Sequence, residues 1–99
     1  MQPFDLKARI DYVQDTIVSD VIYADGEYSI TLKALDSGTE IKTHQSPVDA
    51  VVLIVEGDIE FVVDCEKFNL STGEMLVMKK NTPHSLSALS KAKMLLIKI

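Results

Sequence analysis

The sequence is poor in the residues and motifs that mark several classes of protein. Its 99 residues include one cysteine, no tryptophan, four glycines and two histidines. Cys65 alone cannot close a disulfide within the chain, so we expect a reducing, cytoplasmic location. The glycines are scattered, which excludes a Gly-rich phosphate loop. No C-x-x-C, H-E-x-x-H or G-x-S-x-G motif occurs, so several common metal and nucleophile sites are excluded as well.

Long apolar runs and clusters of positive charge are also missing. The longest aliphatic run, Ala50 to Val55, has six residues, whereas a membrane-spanning helix needs about twenty. The first residues lack the apolar stretch of a secretory signal, so none is expected. Asp and Glu number 15 against 10 Lys and Arg, for a net charge of −5. Because phosphate groups are bound by clustered cations, we expect neither a nucleic-acid nor a membrane partner.

What the chain does contain is a series of short runs rich in Val, Ile, Thr and aromatic residues, each ending at a turn signal. The length fits a single domain. Turn signals recur about every 8–12 residues, which leaves no room for βαβ crossovers and predicts an all-β sandwich or barrel. The nine predicted strands are 16–24, 28–35, 40–45, 50–55, 59–63, 67–70, 75–79, 84–88 and 93–99.

An N-terminal segment, residues 1–17, precedes the predicted barrel of residues 18–99. Leu6, Ile10 and Val13 fall at helical spacing, which predicts a short helix. The run Val51 to Val55 is apolar on both faces, so its outer face needs cover. The N-terminal segment of a second copy would supply that cover, and a symmetric homodimer is therefore expected.

The only two histidines, His44 and His84, stand near predicted strand ends beside proline-containing segments. Gly38 is followed by five residues and His44, and Gly57 closes the same stretch. Gly73 begins a second stretch that ends in Thr82-Pro83-His84. These two stretches, in this order, resemble the motifs of a small single-domain cupin. The resemblance implies a jelly-roll β-barrel with a small-molecule pocket inside it, and often a homodimer.

The resemblance also implies a metal site, and there the chain departs from the family pattern. Metal-binding cupins typically use two His and one Glu from the first motif and one His from the second. His44 and His84 keep two of these positions, while Ser46 and Ala50 replace the others. Two imidazoles do not complete a tetrahedral zinc site or a facial triad, so we expect a weakened or absent metal site. Asp49, next to the Glu position, is the candidate third ligand.

Three functions remain open. The favoured one is binding of a small, largely apolar or carbonyl-bearing molecule, with His44 and His84 as the polar points of the pocket. The other predicted pocket residues are Ser46, Ala50, Val52, Ile54, Phe61 and Leu86. The resemblance implies the alternative, a dioxygenase, isomerase or decarboxylase whose two histidines hold Fe, Mn, Ni or Zn, completed by water or Asp49. A metal-free acid–base enzyme ranks last, because no carboxylate stands at strand spacing to orient an imidazole.

Overall fold

The computed structural model describes residues 2–99 as nine strands and one short helix. The helix, α1, is Leu6–Arg9. The strands are β1 Ile17–Asp25, β2 Tyr28–Leu35, β3 Glu40–His44, β4 Ala50–Glu56, β5 Asp58–Val63, β6 Glu66–Ser71, β7 Met75–Met78, β8 His84–Ala88 and β9 Ala92–Lys98. Each strand end lies within one residue of its predicted position, so the predicted all-β fold is confirmed. The predicted short N-terminal helix is present, but it ends at Arg9 and includes neither Ile10, which is extended, nor Val13. Within this described part, no helix has the length and apolarity needed to cross a membrane.

The strands form two antiparallel sheets. The five-stranded sheet has the order β1-β2-β9-β4-β7, and the four-stranded sheet has the order β3-β8-β5-β6. The main core lies between them, where Val52 and Ile54 of one sheet pack with Ile59 and Phe61 of the other. This arrangement is a jelly-roll barrel, closed by packing of the sheets and not by a continuous ring of hydrogen bonds.

The N-terminal segment covers part of the outer face of the five-stranded sheet of its own chain. Ile10 packs with Leu32 and Ala34 in a second, smaller core, against which Val55 and Leu95 also pack. The sequence assigned the cover of this face to a second copy, whereas here the cover comes from within one chain. Leu32 and Ala34 are therefore buried on the outside of the barrel, and the alternation of β2 turns the residues between and beside them inward.

The turn between β4 and β5 is fixed by close backbone contact at Gly57. Its φ is +83°, in the left-handed region that favours glycine. A Cβ placed on Gly57 would lie 2.2 Å from the Lys91 carbonyl oxygen and 2.9 Å from the Ala92 Cα. Gly57 is thus required both by its backbone conformation and by the strand packed against it.

Candidate functional site

A cavity of about 240 Å³ lies between the two sheets. Four polar side chains reach it: Lys33, His44, His84 and Lys98. Its apolar walls come from both sheets: Ile41, Val52, Phe61, Met78, Leu86, Met94 and Leu96. Three other depressions, of about 720, 610 and 270 Å³, are larger, but no histidine lines any of them. The cavity between the sheets is the better candidate because it combines apolar walls with a few convergent polar groups.

The two histidines lie side by side at this cavity. His44 is directly opposite His84 in the β3–β8 pair, and their ring centroids are 4.2 Å apart with the planes at 62°. His84 is buried, whereas His44 is exposed to solvent. Residues three apart on a regular strand face opposite sides. An irregularity in β3 between Ile41 and His44 turns these two side chains to the same side, so Ile41 and His44 both line the cavity.

Hydrogen bonds to the backbone fix the proton on each ring. Nδ1 of His44 lies 2.9 Å from the Lys42 carbonyl oxygen, and Nδ1 of His84 lies 2.9 Å from the Thr82 carbonyl oxygen. A carbonyl oxygen only accepts, so each Nδ1 donates, and Nε2 of the neutral ring carries a lone pair. Neither Nε2 has a hydrogen-bond partner among residues 2–99. The pair therefore offers two acceptor nitrogens to a ligand.

His84 is held in its neutral form. Burial lowers its pKa below 6.5, and repulsion from His44 and Lys98 lowers it further, while the bond to the Thr82 carbonyl opposes the shift. A buried imidazole loses hydration that the charged form needs, which is why burial is the largest cause. At neutral pH His84 is thus an acceptor through Nε2 and carries no charge.

The predicted pocket residues fall into two groups. Val52, Phe61 and Leu86 line the cavity together with the two histidines. The other three do not line it. Ala50 and Ile54 are buried in the main core. Ser46 is buried in the loop between β3 and β4, where its Oγ accepts from the Val48 amide at 3.3 Å.

The predicted third metal ligand lies away from the histidines. The Asp49 carboxylate accepts from the Lys80 amide at 2.8 Å and is 4.0 Å from Lys79 Nζ, and it does not line the cavity. In the described chain, no three His, Cys, Asp or Glu side chains are grouped to hold a metal ion. Two imidazoles beside two lysines are a poor donor set for a divalent cation, so these residues do not fit the metal that the cupin resemblance implies.

Sequence reasoning missed the two lysines of the cavity. Lys33 stands on β2 and Lys98 on β9, both in the five-stranded sheet. One signal was available for Lys98, because Met94, Leu96 and Lys98 alternate along β9 and share one face. Lys33 gave no such signal. Its neighbours Leu32 and Ala34 are the apolar side of β2, and only the N-terminal segment makes that side the outer one.

Comparison with known proteins identifies the family. The model of the cupin domain matches residues 31–99, most of the chain. The chain therefore belongs to the cupin family, and the resemblance stated from its two motifs is confirmed. Comparison with curated proteins gives no match.

Solved structures agree with this assignment. A conserved protein of unknown function from Streptococcus pyogenes is 34% identical with a TM-score of 0.94, over 99% of this chain and 86% of that one. A cupin 2 conserved barrel domain protein from Leptotrichia buccalis is 31% identical with a TM-score of 0.92, over 97% of this chain and 47% of that one. Salicylate 1,2-dioxygenase from Pseudoaminobacter salicylatoxidans, in adducts with gentisate, is 20% identical with a TM-score of 0.77, over 93% and 27%, and shares the fold alone.

Proposed function

We propose that this cupin binds a small, largely apolar molecule in the cavity between its sheets, with His44 and His84 fixing the orientation of that molecule. The observation that carries the proposal is the cavity itself, where seven apolar side chains surround two neighbouring imidazoles. An apolar cavity of about 150 Å³ accommodates benzene. A cavity of about 240 Å³ therefore suits a molecule with one ring or a short chain.

The state of the histidines indicates which polar group the ligand carries. Both Nε2 atoms are acceptors when the rings are neutral, because both Nδ1 atoms donate to carbonyl oxygens. A hydroxyl or amino group is the complement of an acceptor, whereas a lone carbonyl group is not. We accordingly favour a ligand with an O–H or N–H donor over the purely carbonyl-bearing ligand expected from the sequence.

Metal-dependent catalysis is the second candidate function, and one observation favours it. A metal-ligating histidine usually donates its other ring nitrogen to a carbonyl or carboxylate oxygen, as both rings do here. The donor set counts against it, because Asp49 is engaged elsewhere and Lys33 and Lys98 face the same cavity. Elemental analysis of protein purified without chelators separates the two functions. Near-stoichiometric metal that is lost in both His44→Ala and His84→Ala would favour the enzyme.

The binding proposal is tested with benzyl alcohol, a one-ring probe with a hydroxyl donor. Its titration into isotope-labelled protein should produce saturable NMR shifts at the ring signals of His44 and His84. Ile41→Trp should block the cavity and abolish the shifts, whereas Lys42→Trp, which changes an exposed neighbour on the same strand, should leave them. Equal binding of benzyl alcohol by Ile41→Trp and Lys42→Trp, or no saturable shift in the wild type, would contradict the proposal.

We also propose that two copies pair through the outer face of the five-stranded sheet, in a cytoplasmic homodimer. The support is an apolar row that crosses all five strands through directly paired residues: Val77, Val51, Ile97, Ile30 and Tyr23. Its two ends, Val77 and Tyr23, are 60% and 53% exposed. Light scattering should give twice the chain mass for the wild type and for Leu89→Lys, and the monomer mass for Val77→Lys. A wild-type monomer at all concentrations would contradict the dimer.

A further inference from the structure

The cavity carries more positive charge than its acidic chain would suggest. The whole chain has a net charge of −5, yet the side chains that line the cavity include two lysines and no Asp or Glu. Within residues 2–99, the ion pairs within 4.0 Å are Arg9–Asp20, Lys79–Asp49 and Lys93–Glu56. Lys33 and Lys98 take part in none of them.

The two lysine side chains line the same cavity from neighbouring strands. Burial lowers the pKa of Lys33, and repulsion from Lys98 lowers it further. Lys98 also repels a proton on His84. Lys33 Nζ donates to Ser19 Oγ at 2.9 Å, a neutral partner that does not balance its charge. Lys98 and Glu27 both border a separate surface groove of about 270 Å³, but they form no ion pair.

An uncompensated pair of lysines in a half-buried cavity is costly without an anion. Partly buried charges are normally paired, since burial removes the hydration that stabilises them. A bound carboxylate would supply the missing charge and accept hydrogen bonds from both ammonium groups. The apolar walls would at the same time pack against the rest of the ligand, as in most small-molecule sites.

We propose that the ligand of this cavity is a small organic anion, a carboxylate held by Lys33 and Lys98 with a donor group held by His44 and His84. The proposal rests on the proposed function and names the chemical class of the molecule bound at that same site. It uses both kinds of polar group in the lining, because the lysines only donate, whereas each imidazole, when neutral, accepts through Nε2. A phosphate ester is disfavoured, since the Gly-rich loop that usually cradles phosphate is missing from the sequence.

The test compares acids with amides of the same shape. 3- and 4-Hydroxybenzoate, and the matching hydroxybenzamides, are titrated into the wild-type protein and binding is followed by calorimetry or NMR. Charge-assisted hydrogen bonds should make at least one acid bind about tenfold more tightly than its amide. The preference should weaken as salt is raised, because screening reduces attraction between charges.

Substitution of each lysine tests whether Lys33 and Lys98 cause the preference for the acid over the amide. Lys33→Met and Lys98→Met keep the aliphatic stem and remove the charge, so each should weaken acid binding more than amide binding and reduce the acid-over-amide ratio severalfold. Lys67→Met, at an exposed position of β6, is the matched control and should keep the wild-type ratio. If either variant fails to fold, the acid-over-amide ratio of the wild type and its salt dependence still show whether the cavity prefers an anion.

The outcomes separate this inference from the proposed function. Equal binding of acid and amide, or a preference that survives both lysine substitutions, overturns the anion proposal and leaves the cavity as a binding site. Binding of benzyl alcohol but of no acid overturns it as well. Failure of every probe, benzyl alcohol included, overturns the proposed function together with this inference.

Discussion

Tyr12 donates a 2.5 Å hydrogen bond to Glu56, a residue 44 positions further along the chain. The contact joins the N-terminal segment to the end of β4. Lys93 completes the group, since its Nζ lies 3.9 Å from the same carboxylate and donates to the Lys7 carbonyl oxygen. Lys93 is 7% exposed, so its charge is nearly buried and depends on these partners.

Tyr12→Phe should lower the free energy of unfolding by about 1.5–2 kcal/mol, because it removes a hydrogen bond to a charged group. Urea denaturation measures the loss. Tyr28→Phe is the control, since Tyr28 is 60% exposed on β2, and it should change stability by less than about 0.5 kcal/mol. Equal effects of the two substitutions would show that the Tyr12–Glu56 contact does not hold the segment in place.

Ile10→Ala should cost about 2–4 kcal/mol, because Ile10 is 5% exposed in the small core with Leu32 and Ala34. Val13→Ala, on the same segment but 51% exposed, should cost less than about 0.5 kcal/mol. Chemical denaturation at several protein concentrations checks both values. A cost for Ile10→Ala that disappears at low concentration would mean that the segment covers a partner's sheet and not its own.

Gly57→Ala should be far more damaging than Gly73→Ala. Both glycines have a left-handed φ, of +83° and +87°, so alanine at either position should destabilise the fold by about 1–2 kcal/mol through backbone strain. Only at Gly57 does the added Cβ meet backbone atoms, at 2.2 Å from the Lys91 oxygen, which adds about 1–3 kcal/mol of overpacking. Thermal unfolding of the two variants gives the comparison. Similar losses would indicate that the β4–β5 turn can move away from β9.

The protein should lose stability as pH falls below about 6.5, and His84 should account for part of the loss. Its pKa in the folded chain is below the 6.5 of an unperturbed histidine. Between the two values the unfolded chain binds more protons than the folded one, so the free energy of unfolding falls with pH. Above about 6.5 both forms are neutral and the contribution is constant.

Urea denaturation at about pH 7.5 and about pH 5.5 measures this dependence. His84→Asn should shrink the difference between the two values. His44→Asn should keep most of it, because burial of His84 is a larger cause of the shift than repulsion from His44. A wild-type difference that His84→Asn leaves unchanged would assign the acid sensitivity to other groups.

The strands were predictable because their signals are local. Val- and Ile-rich runs and the turn residues between them depend only on neighbouring positions, and every strand end fell within one residue of its prediction. The facing histidines were predictable only through the spacing of the two family motifs. That His44 pairs with His84 depends on the register of β3 and β8, including an irregularity that spacing does not reveal.

The cationic side of the cavity could not be predicted, because it depends on which face of β2 is the inner one. When one face of a strand is apolar and the other is polar, the apolar face is expected to face the core and the polar face to face solvent. Here Ile10 arrives from the N-terminal segment and buries Leu32 on the outside, which leaves Lys33 at the cavity. Asp49 is the opposite case, a residue that was predicted for the site but lies outside the cavity. Proximity in sequence made it a candidate ligand, but the Lys80 amide holds its carboxylate outside the cavity.

Intermolecular nuclear Overhauser effects measure most directly where a small molecule binds on this protein. With methyl-labelled protein and benzyl alcohol, the probe's ring protons should give effects to methyl groups of Val52, Leu86 and Met94, which line the cavity from both sheets. Effects confined to exposed methyl groups such as those of Val77 would contradict the account. They would place binding on the outer sheet and leave the histidine cavity without a role.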